Sequence, residues 1–254
     1  MGKVFLVGAG PGAPDLLTLR AARLLEAADI VFYDALVHPR TLALAKNARK
    51  VSVGKRYGKV STEQRFINRA LIEAASKHGS VVRLKGGDPM LFGRAQEEIE
   101  ALAAAGIEVE VVPGVTAALA AAAALRVSLT RRGIARTVAF LTPRVGKGET
   151  ASEWLPAALG ADSVVLYMAA GASQAIATAL VEAGKPASTP VALVESATLA
   201  EEKRVFTTLE ALRAKPSPRG DGPVVMCVGE VFRDRAAVES LDIIGTTARH
   251  MAQY

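Results

Sequence analysis

Apolar and polar positions alternate along this chain in two periods. KVFLVG (3–8), DIVFYD (29–34), SVVRL (80–84) and EVEVV (108–112) are short β-rich runs, and each predicts a strand. Between them, DLLTLRAARLLEAA (15–28) and EEIEALAAAG (97–106) place Leu, Ile and Ala at helical spacing. STEQRFINRALIEAASKHG (61–79) does the same, with Phe66, Ile67, Ala70, Leu71 and Ala74 on one face. Ser61 and Gln64 form a capping-box pattern at its start, and Gly79 closes it. Strands that alternate with helices in this way imply right-handed crossovers and a mainly parallel sheet.

Pro113-Gly114 interrupts the alternation, and an Ala-rich helix follows. Strand patterns resume at TVAFLT (137–142), SVVLYM (163–168), PVALVE (190–195), KRVFTT (203–208) and GPVVMCVG (222–229). The polar stretches 142–152 and 213–222 read as surface loops. The expected architecture is α/β in two domains, 1–114 with a parallel sheet and glycine loops and 115–254 with a mixed sheet.

At 254 residues the chain is long for one core and sufficient for two. Lys and Arg exceed Asp and Glu by 31 to 25, and several of the basic residues lie beside glycine loops, which favours an anionic ligand. Aromatics make up only 5%, which is poor material for stacking on nucleic acid bases. The longest apolar stretch, Val115 to Leu125, is too short to span a bilayer, and the N-terminus lacks the features of a signal peptide. No nucleic acid and no membrane are expected as partners, and the expected location is cytoplasmic. His38, His78 and His250 are far apart in sequence, and the single cysteine, Cys227, lies in an apolar run, so no metal set is expected.

Glycine turns end three of the strands: GAGPG after the first, KGGDP after the third and PGVT after the fourth. Gly8, Gly10 and Ala13 fit a loose dinucleotide fingerprint, with Asp34 where a ribose-binding acid would lie. That leaves a nicotinamide dehydrogenase open, although Pro11 removes an amide that a pyrophosphate would use. Several small-residue loops on one sheet edge better suit a nucleoside folded between them, such as S-adenosylmethionine.

In chain order, VGAGPGAPDLLTL, DIVFYDALV, VGKRYGK, VVRLKGGDPMLFGRAQEE, VVPGVTAA, SLTRR, VVLYMA, PVALVESAT and VVMCVGEV carry a resemblance that covers roughly residues 3 to 233. The chain resembles the uroporphyrinogen-III C-methyltransferases of the tetrapyrrole methylase superfamily. The resemblance implies a class III methyltransferase fold, two α/β/α domains with a cleft between them, and a homodimer. It implies methyl transfer from S-adenosyl-L-methionine to C2 and C7 of uroporphyrinogen III, giving precorrin-2 through precorrin-1 for sirohaem or cobalamin biosynthesis, with S-adenosyl-L-homocysteine as the other product. A methylase of a later precorrin or of RNA, and a binding protein that kept the fold, are the alternatives.

By the same resemblance, Pro11, Gly86, Gly87, Asp88, Leu91, Thr116, Ala117, Met168 and Ala197 are expected to line the cofactor. Asp34, Lys55 and Arg94 are the catalytic candidates, and Glu97, Arg131, Arg132 and Met168 are placed on the substrate side. Arg56 joins the basic residues expected around a polycarboxylate, because guanidinium groups pair with carboxylates in bidentate fashion. Four departures stand out, one of them LTPRVG in place of a more usual VTGH. Ala95-Gln96 replaces a glycine pair and should strengthen the helix that starts there. Arg131 replaces a histidine and adds a permanent charge. YMA replaces YMG. Transfer of a methyl group from a sulfonium to an electron-rich carbon depends chiefly on alignment. A general base for the later proton loss need not be strong, and Asp34 and Glu97 are candidates for it.

Overall fold

In a computed structural model the described residues are 2–54, 64–145, 150, 153–169, 171–216 and 220–234. The chain forms two compact units that divide between Ala117 and Ala118, just past the Pro113-Gly114 turn.

The first unit carries β1 (Lys3–Gly8), α1 (Leu19–Glu26), β2 (Ile30–Tyr33), α2 (Pro39–Leu42), β3 (Arg49–Ser52), α3 (Gln64–Lys77), β4 (Ser80–Lys85), α4 (Ala95–Ala104) and β5 (Val109–Val112). The strand order is β3-β2-β4-β1-β5, and every pairing is parallel. The central strands are buried on both faces, which is why they read as continuous apolar runs. Val4, Leu6, Phe32 and Val81 pack against Ile67 and Leu71 of α3 and Leu102 of α4. On the opposite face Val7, Val31, Val82 and Leu84 pack against Ala21 and Leu25 of α1.

Local chemistry adjusts the expected boundaries. The first helix begins only at Leu19, where the Thr18 side chain accepts the Ala21 N–H at 3.2 Å, and residues Pro14–Leu16 form a separate 3-10 turn. β3 and α2 were not anticipated. β3 is a largely exposed edge strand, RKVS, without an apolar stripe. Phe66, expected on the core face of α3, is half-exposed beside Arg65, and Ala75 is buried instead. Ser61 of the expected capping box lies outside the described residues, and the Gln64 side chain bonds Asn68 and Glu98. Gly106 does end its helix: at φ +70° it donates to Ala103 O at 2.9 Å, while Ile107 donates to Leu102 O at 3.0 Å.

α5 (Ala117–Leu125) leads into the second unit, which carries β6 (Val138–Leu141), α6 (Trp154–Gly160), β7 (Ser163–Leu166), α7 (Ser173–Glu182), β8 (Pro190–Glu195), β9 (Lys203–Thr208), α8 (Leu209–Ala214) and β10 (Val224–Gly229). Its sheet order is β6-β7-β10-β8-β9; only β6–β7 is parallel, so the sheet is mixed. Val164, Leu166, Met226 and Val228 meet Ile176, Leu180, Leu209 and Leu212 in one core. Lys185 donates to Ala158 O at 2.9 Å and closes the C-terminal end of α6. Among the described residues no helix is long and apolar enough to cross a membrane.

In the first unit the three glycine turns lock onto one another. Gly10 and Gly87 exchange backbone hydrogen bonds of 3.2 and 2.7 Å, and Ala9 N–H donates to Lys85 O at 2.7 Å. Gly8 lies so close to Gly114 that a Cβ on Gly8 would fall 2.6 Å from Gly114 Cα and 2.8 Å from Gly87 O. Three turns therefore pack backbone to backbone, and only glycine permits that approach. Gly114→Ala should destabilise the first unit by about 1–3 kcal/mol or more, because neither neighbour is a flexible side chain. Gly106→Ala, at a left-handed position with nothing within 4 Å, should cost only about 1 kcal/mol. Urea unfolding followed by hydrogen exchange of the β1, β4 and β5 amides tests the contrast. Equal losses at the two sites would show that the turns do not need close contact.

Candidate functional site

The carboxyl ends of β1, β2, β4 and β5 share one edge of the parallel sheet, where open α/β sheets bind ligands. Two carboxylates tie the turns on this edge together. Asp34, just past β2, accepts from Gly86 N–H and from Leu36 N–H, each at 3.0 Å. Asp88 accepts from Met90 N–H at 2.8 Å and from Gly114 N–H at 3.0 Å. The structure thus brings Asp34, Gly86, Gly87 and Asp88 into one bonded assembly with Gly10 and Gly114, next to Pro11 on one side and Thr116 and Ala117 on the other. A Cβ on Gly87, at φ +68°, would meet only Thr116 Cα at 4.0 Å. The surface over this turn is therefore open enough for a flat ligand to rest on backbone.

The same geometry counts against a dinucleotide cradle. Gly10 N–H is bonded to Gly87 O, Ala9 N–H is bonded to Lys85 O, and Pro11 has no N–H. The following α-helix starts at Leu19 rather than at the turn, so no helix N-terminus is aimed at a pyrophosphate there. Asp34, the expected ribose partner, already accepts two backbone amides.

Beneath the KGGDP turn lies a group of charges that sequence reasoning missed. Arg83 and Lys85 project from β4 toward Glu98 of α4, and all three are buried. Arg83 Nε lies 3.1 Å from Glu98 Oε1, and Lys85 Nζ lies 2.9 Å from Oε2. Gln64 Nε2 donates to Glu98 Oε1 at 3.0 Å, and Arg83 also donates to Leu84 O at 3.0 Å. Burial and the neighbouring Arg83 push the Lys85 ammonium below its ordinary pKa, while Glu98 and Asp34 oppose the shift. A signal was present: Arg83 and Lys85 sit two apart on an otherwise apolar strand, and buried cations require a counter-charge.

Arg94 and Glu97 sit past this turn. Arg94 has φ +56°, and Phe92 has φ +55°, two non-glycine residues in the left-handed region within one short loop. Such backbone is strained and recurs at ligand sites. Arg94 binds Glu97 side-on, Nε to Oε1 at 2.6 Å and Nη2 to Oε2 at 2.7 Å. Arg94 holds the Glu97 carboxyl below its ordinary range, against a smaller opposing effect of burial. Ala95 begins α4 and is buried in the core of the first unit. Leu91 lies in the same loop, with its N–H bonded weakly to Asp88 O at 3.4 Å. Lys55 and Arg56 lie outside the described residues.

In the second unit β7 and β8 both run antiparallel to β10, so their carboxyl ends share an edge. Met168 follows β7 with φ +56° and is 44% exposed. Ala197 follows β8, buried between Ser196 at φ +51° and Thr198 at φ +73°. Glu195 accepts from Gly220 and Gly222 N–H at 3.1 and 2.9 Å and fixes the adjoining loop, a role not foreseen. Tyr167 Oη accepts the Ala118 N–H at 3.1 Å. Arg131, expected to add a permanent positive charge, pairs with Asp234 at 2.7 Å, and its neighbour Arg132 is exposed in the same turn. Cys227 is buried, and burial pushes its thiol up to about 12, so it is not a nucleophile at neutral pH.

Comparison with known proteins decides the family. Residues 3–213 match the tetrapyrrole (corrin/porphyrin) methylases. The chain belongs to the tetrapyrrole methylases. Among its relatives, a uroporphyrinogen-III C-methyltransferase of Pseudomonas aeruginosa is 44% identical over 234 residues, covering 92% of this chain and 95% of that protein. A siroheme synthase of Azotobacter vinelandii is 43% identical over 237 residues, covering 92% of this chain and 51% of that protein. The chain thus spans about half the length of the siroheme synthases it matches. The crystal structure of a Thermus thermophilus uroporphyrin-III C-methyl transferase, complexed with S-adenyl homocysteine, superposes with a TM-score of 0.80 at 43% identity, covering 91% of this chain and 99% of that one. The expected fold class is therefore that of the chain: a tetrapyrrole methylase with two sheets.

The buried charges of this methylase yield a test. Glu98→Gln leaves two buried cations facing a neutral amide and should cost about 3–5 kcal/mol, whereas replacing Arg83, Lys85 and Glu98 together by apolar residues should cost far less. Because Lys85 has its pKa lowered on folding, the unfolded chain binds more protons in the alkaline window below the ordinary lysine value. Stability contributed by Lys85 therefore rises with pH there. Lys85→Met should remove that rise from urea midpoints compared with the parent chain across the window. An unchanged alkaline slope would mean that Lys85 does not titrate differently in the folded state.

Proposed function

We propose that the chain transfers methyl groups from S-adenosyl-L-methionine to uroporphyrinogen III, at C2 and then C7, to give precorrin-2. The observation that carries this reading is the edge of glycine turns tied by Asp34 and Asp88, in a chain 44% identical to a uroporphyrinogen-III C-methyltransferase over 92% of its length. The relatives' names support the substrate. The S-adenyl homocysteine in the Thermus complex supports the cofactor.

When bound, the cofactor supplies an electrophilic methyl group on a sulfonium. Everything else falls to the protein. Gly86, Gly87 and Asp88 present backbone and a fixed carboxylate to the nucleoside. Pro11, Leu91, Thr116, Ala117, Met168 and Ala197 complete its lining, and the glycine turns set the depth at which it rests. Positive charge leaves sulfur for the macrocycle during transfer, so rate depends on holding carbon, methyl and sulfur in line rather than on an oxyanion hole. Arg94, Arg131 and Arg132 bind carboxylates of the macrocycle, and Lys55 and Arg56 belong to the same proposal. Asp34 and Lys55 are the candidates for handling the proton that leaves after methylation. The basic excess of the chain suits a polycarboxylate. A homodimer in the cytoplasm, serving sirohaem or cobalamin synthesis, completes the reading.

Anaerobic incubation with S-adenosyl-L-methionine and uroporphyrinogen III should give a product heavier by two methyl groups. Retained cofactor binding without any mass gain would overturn the substrate. Arg94→Ala should lose at least about tenfold in kcat/KM, the loss of one charge-assisted bidentate contact. Its affinity for S-adenosyl-L-homocysteine should be unchanged by calorimetry. Loss of that affinity would place Arg94 on the cofactor instead.

A further inference from the structure

Arg94 and Glu97 form the most complete exposed ion pair on the candidate edge. Both guanidinium contacts are short and side-on, at 2.6 and 2.7 Å, the geometry that an incoming carboxylate would adopt. The two side chains are 55% and 48% exposed, so solvent and ligand reach both. The backbone of each partner is anchored. Arg94 is fixed in a left-handed backbone at the start of α4, and Asn68 Nδ2 donates to the Glu97 backbone carbonyl at 3.1 Å.

We infer that Glu97 is a built-in competitor for Arg94, a resident carboxylate that a ligand carboxylate must displace. This inference rests on the reading of the site as one for a polycarboxylate macrocycle. Displacement exchanges one exposed ion pair for another, so a lone carboxylate gains almost nothing by it. Glu97 also sits one helical turn from Arg94 and is present at high effective concentration. A ligand anchored elsewhere by further carboxylates brings its own high effective concentration and overcomes the competition. The same penalty falls on every carboxylate that displaces Glu97, so the pair acts as a threshold that only a ligand with further anchoring carboxylates clears. Arg94 keeps the Glu97 carboxyl below its ordinary range, so the competitor stays ionised throughout neutral pH.

The test is equilibrium binding of uroporphyrin III, a stable oxidised polycarboxylate, and of benzoate as the single acid, to the full chain. Glu97→Gln and Glu97→Ala should both tighten uroporphyrin binding, by about two- to fivefold, the range of an exposed ion pair. Benzoate binding should tighten by no more than the same factor. Glu100→Gln removes a charge from the same helix without touching Arg94, since Glu100 pairs with Gln96, and controls for net charge. On an Arg94→Ala background the Glu97 variants should have no more effect than Glu100→Gln. Tightening that survives Arg94→Ala, or weakening by both Glu97 variants, overturns the competitor role alone. Failure of the parent chain to bind uroporphyrin overturns the polycarboxylate reading and the inference with it.

Discussion

The first unit depends on one constraint, the close approach of three turns. Gly8, Gly87 and Gly114 meet backbone to backbone at the carboxyl edge of the sheet, and no side chain fits between them. An antiparallel Gly10–Gly87 bridge joins two of the turns just past the ends of the parallel strands β1 and β4. Asp88 then fastens the third turn to the second. Turns are ordinarily the most mobile parts of a fold. Here they carry hydrogen bonds of their own and act as a rigid shelf. The proposed methyl transfer, governed by alignment, needs such a shelf, because a displacement of about 1 Å in a bound reactant is enough to lose much of the rate.

Beneath the shelf, Arg83, Lys85 and Glu98 set the position of α4 over β4. Two cations and one carboxylate leave an excess positive charge in the interior, and a hydrophobic trio of the same volume would be at least as stable. The arrangement instead fixes register. Glu98 engages both basic residues of β4 and Gln64 of α3, so the helix cannot slide along the strand without breaking bonds at both oxygens. Because α4 begins at Ala95, its register also positions Arg94 and Glu97. The strained backbone at Phe92 and Arg94 is held from both sides, by the shelf before it and by the locked helix after it.

The strands of both units were legible because burial on two faces, or on one, leaves continuous or alternating apolar runs. β3 was not, since RKVS is an edge strand facing water, and neither was α2, a single turn. The glycine turns were visible, but their purpose was only half read. Recurrence suggested ligand approach, whereas the shortest distances are from glycine to glycine. The charged residues of 81–98 divided differently from expectation. Arg94 and Glu97, expected on the substrate side, are exposed and pair with each other, while Lys85 and Glu98, given no role beforehand, turn inward, because residues on β4 alternate between the sheet's two faces and Arg83 and Lys85 share the one that α4 covers. Partners distant in sequence, such as Asp234 with Arg131 and Gly220 and Gly222 with Glu195, carry no local signal.

Asp34 shows how position limits chemistry. Sequence offered it as a ribose ligand or a proton-transfer group. In the structure it joins the turn after β2 to the turn after β4 through one bond on each oxygen. A carboxylate has lone pairs to spare beyond these two bonds. A proton taken up on Asp34 would nonetheless share an oxygen with an amide already donating to it. On the proposed reading, proton removal through this residue is coupled to the link between the two turns, and relaying the proton onward restores the shelf. A base built in this way suits a step in which the proton is already acidic and needs only a path. That is the situation after methylation of a pyrrole carbon, when the macrocycle carries the positive charge and restores its conjugation by losing a proton.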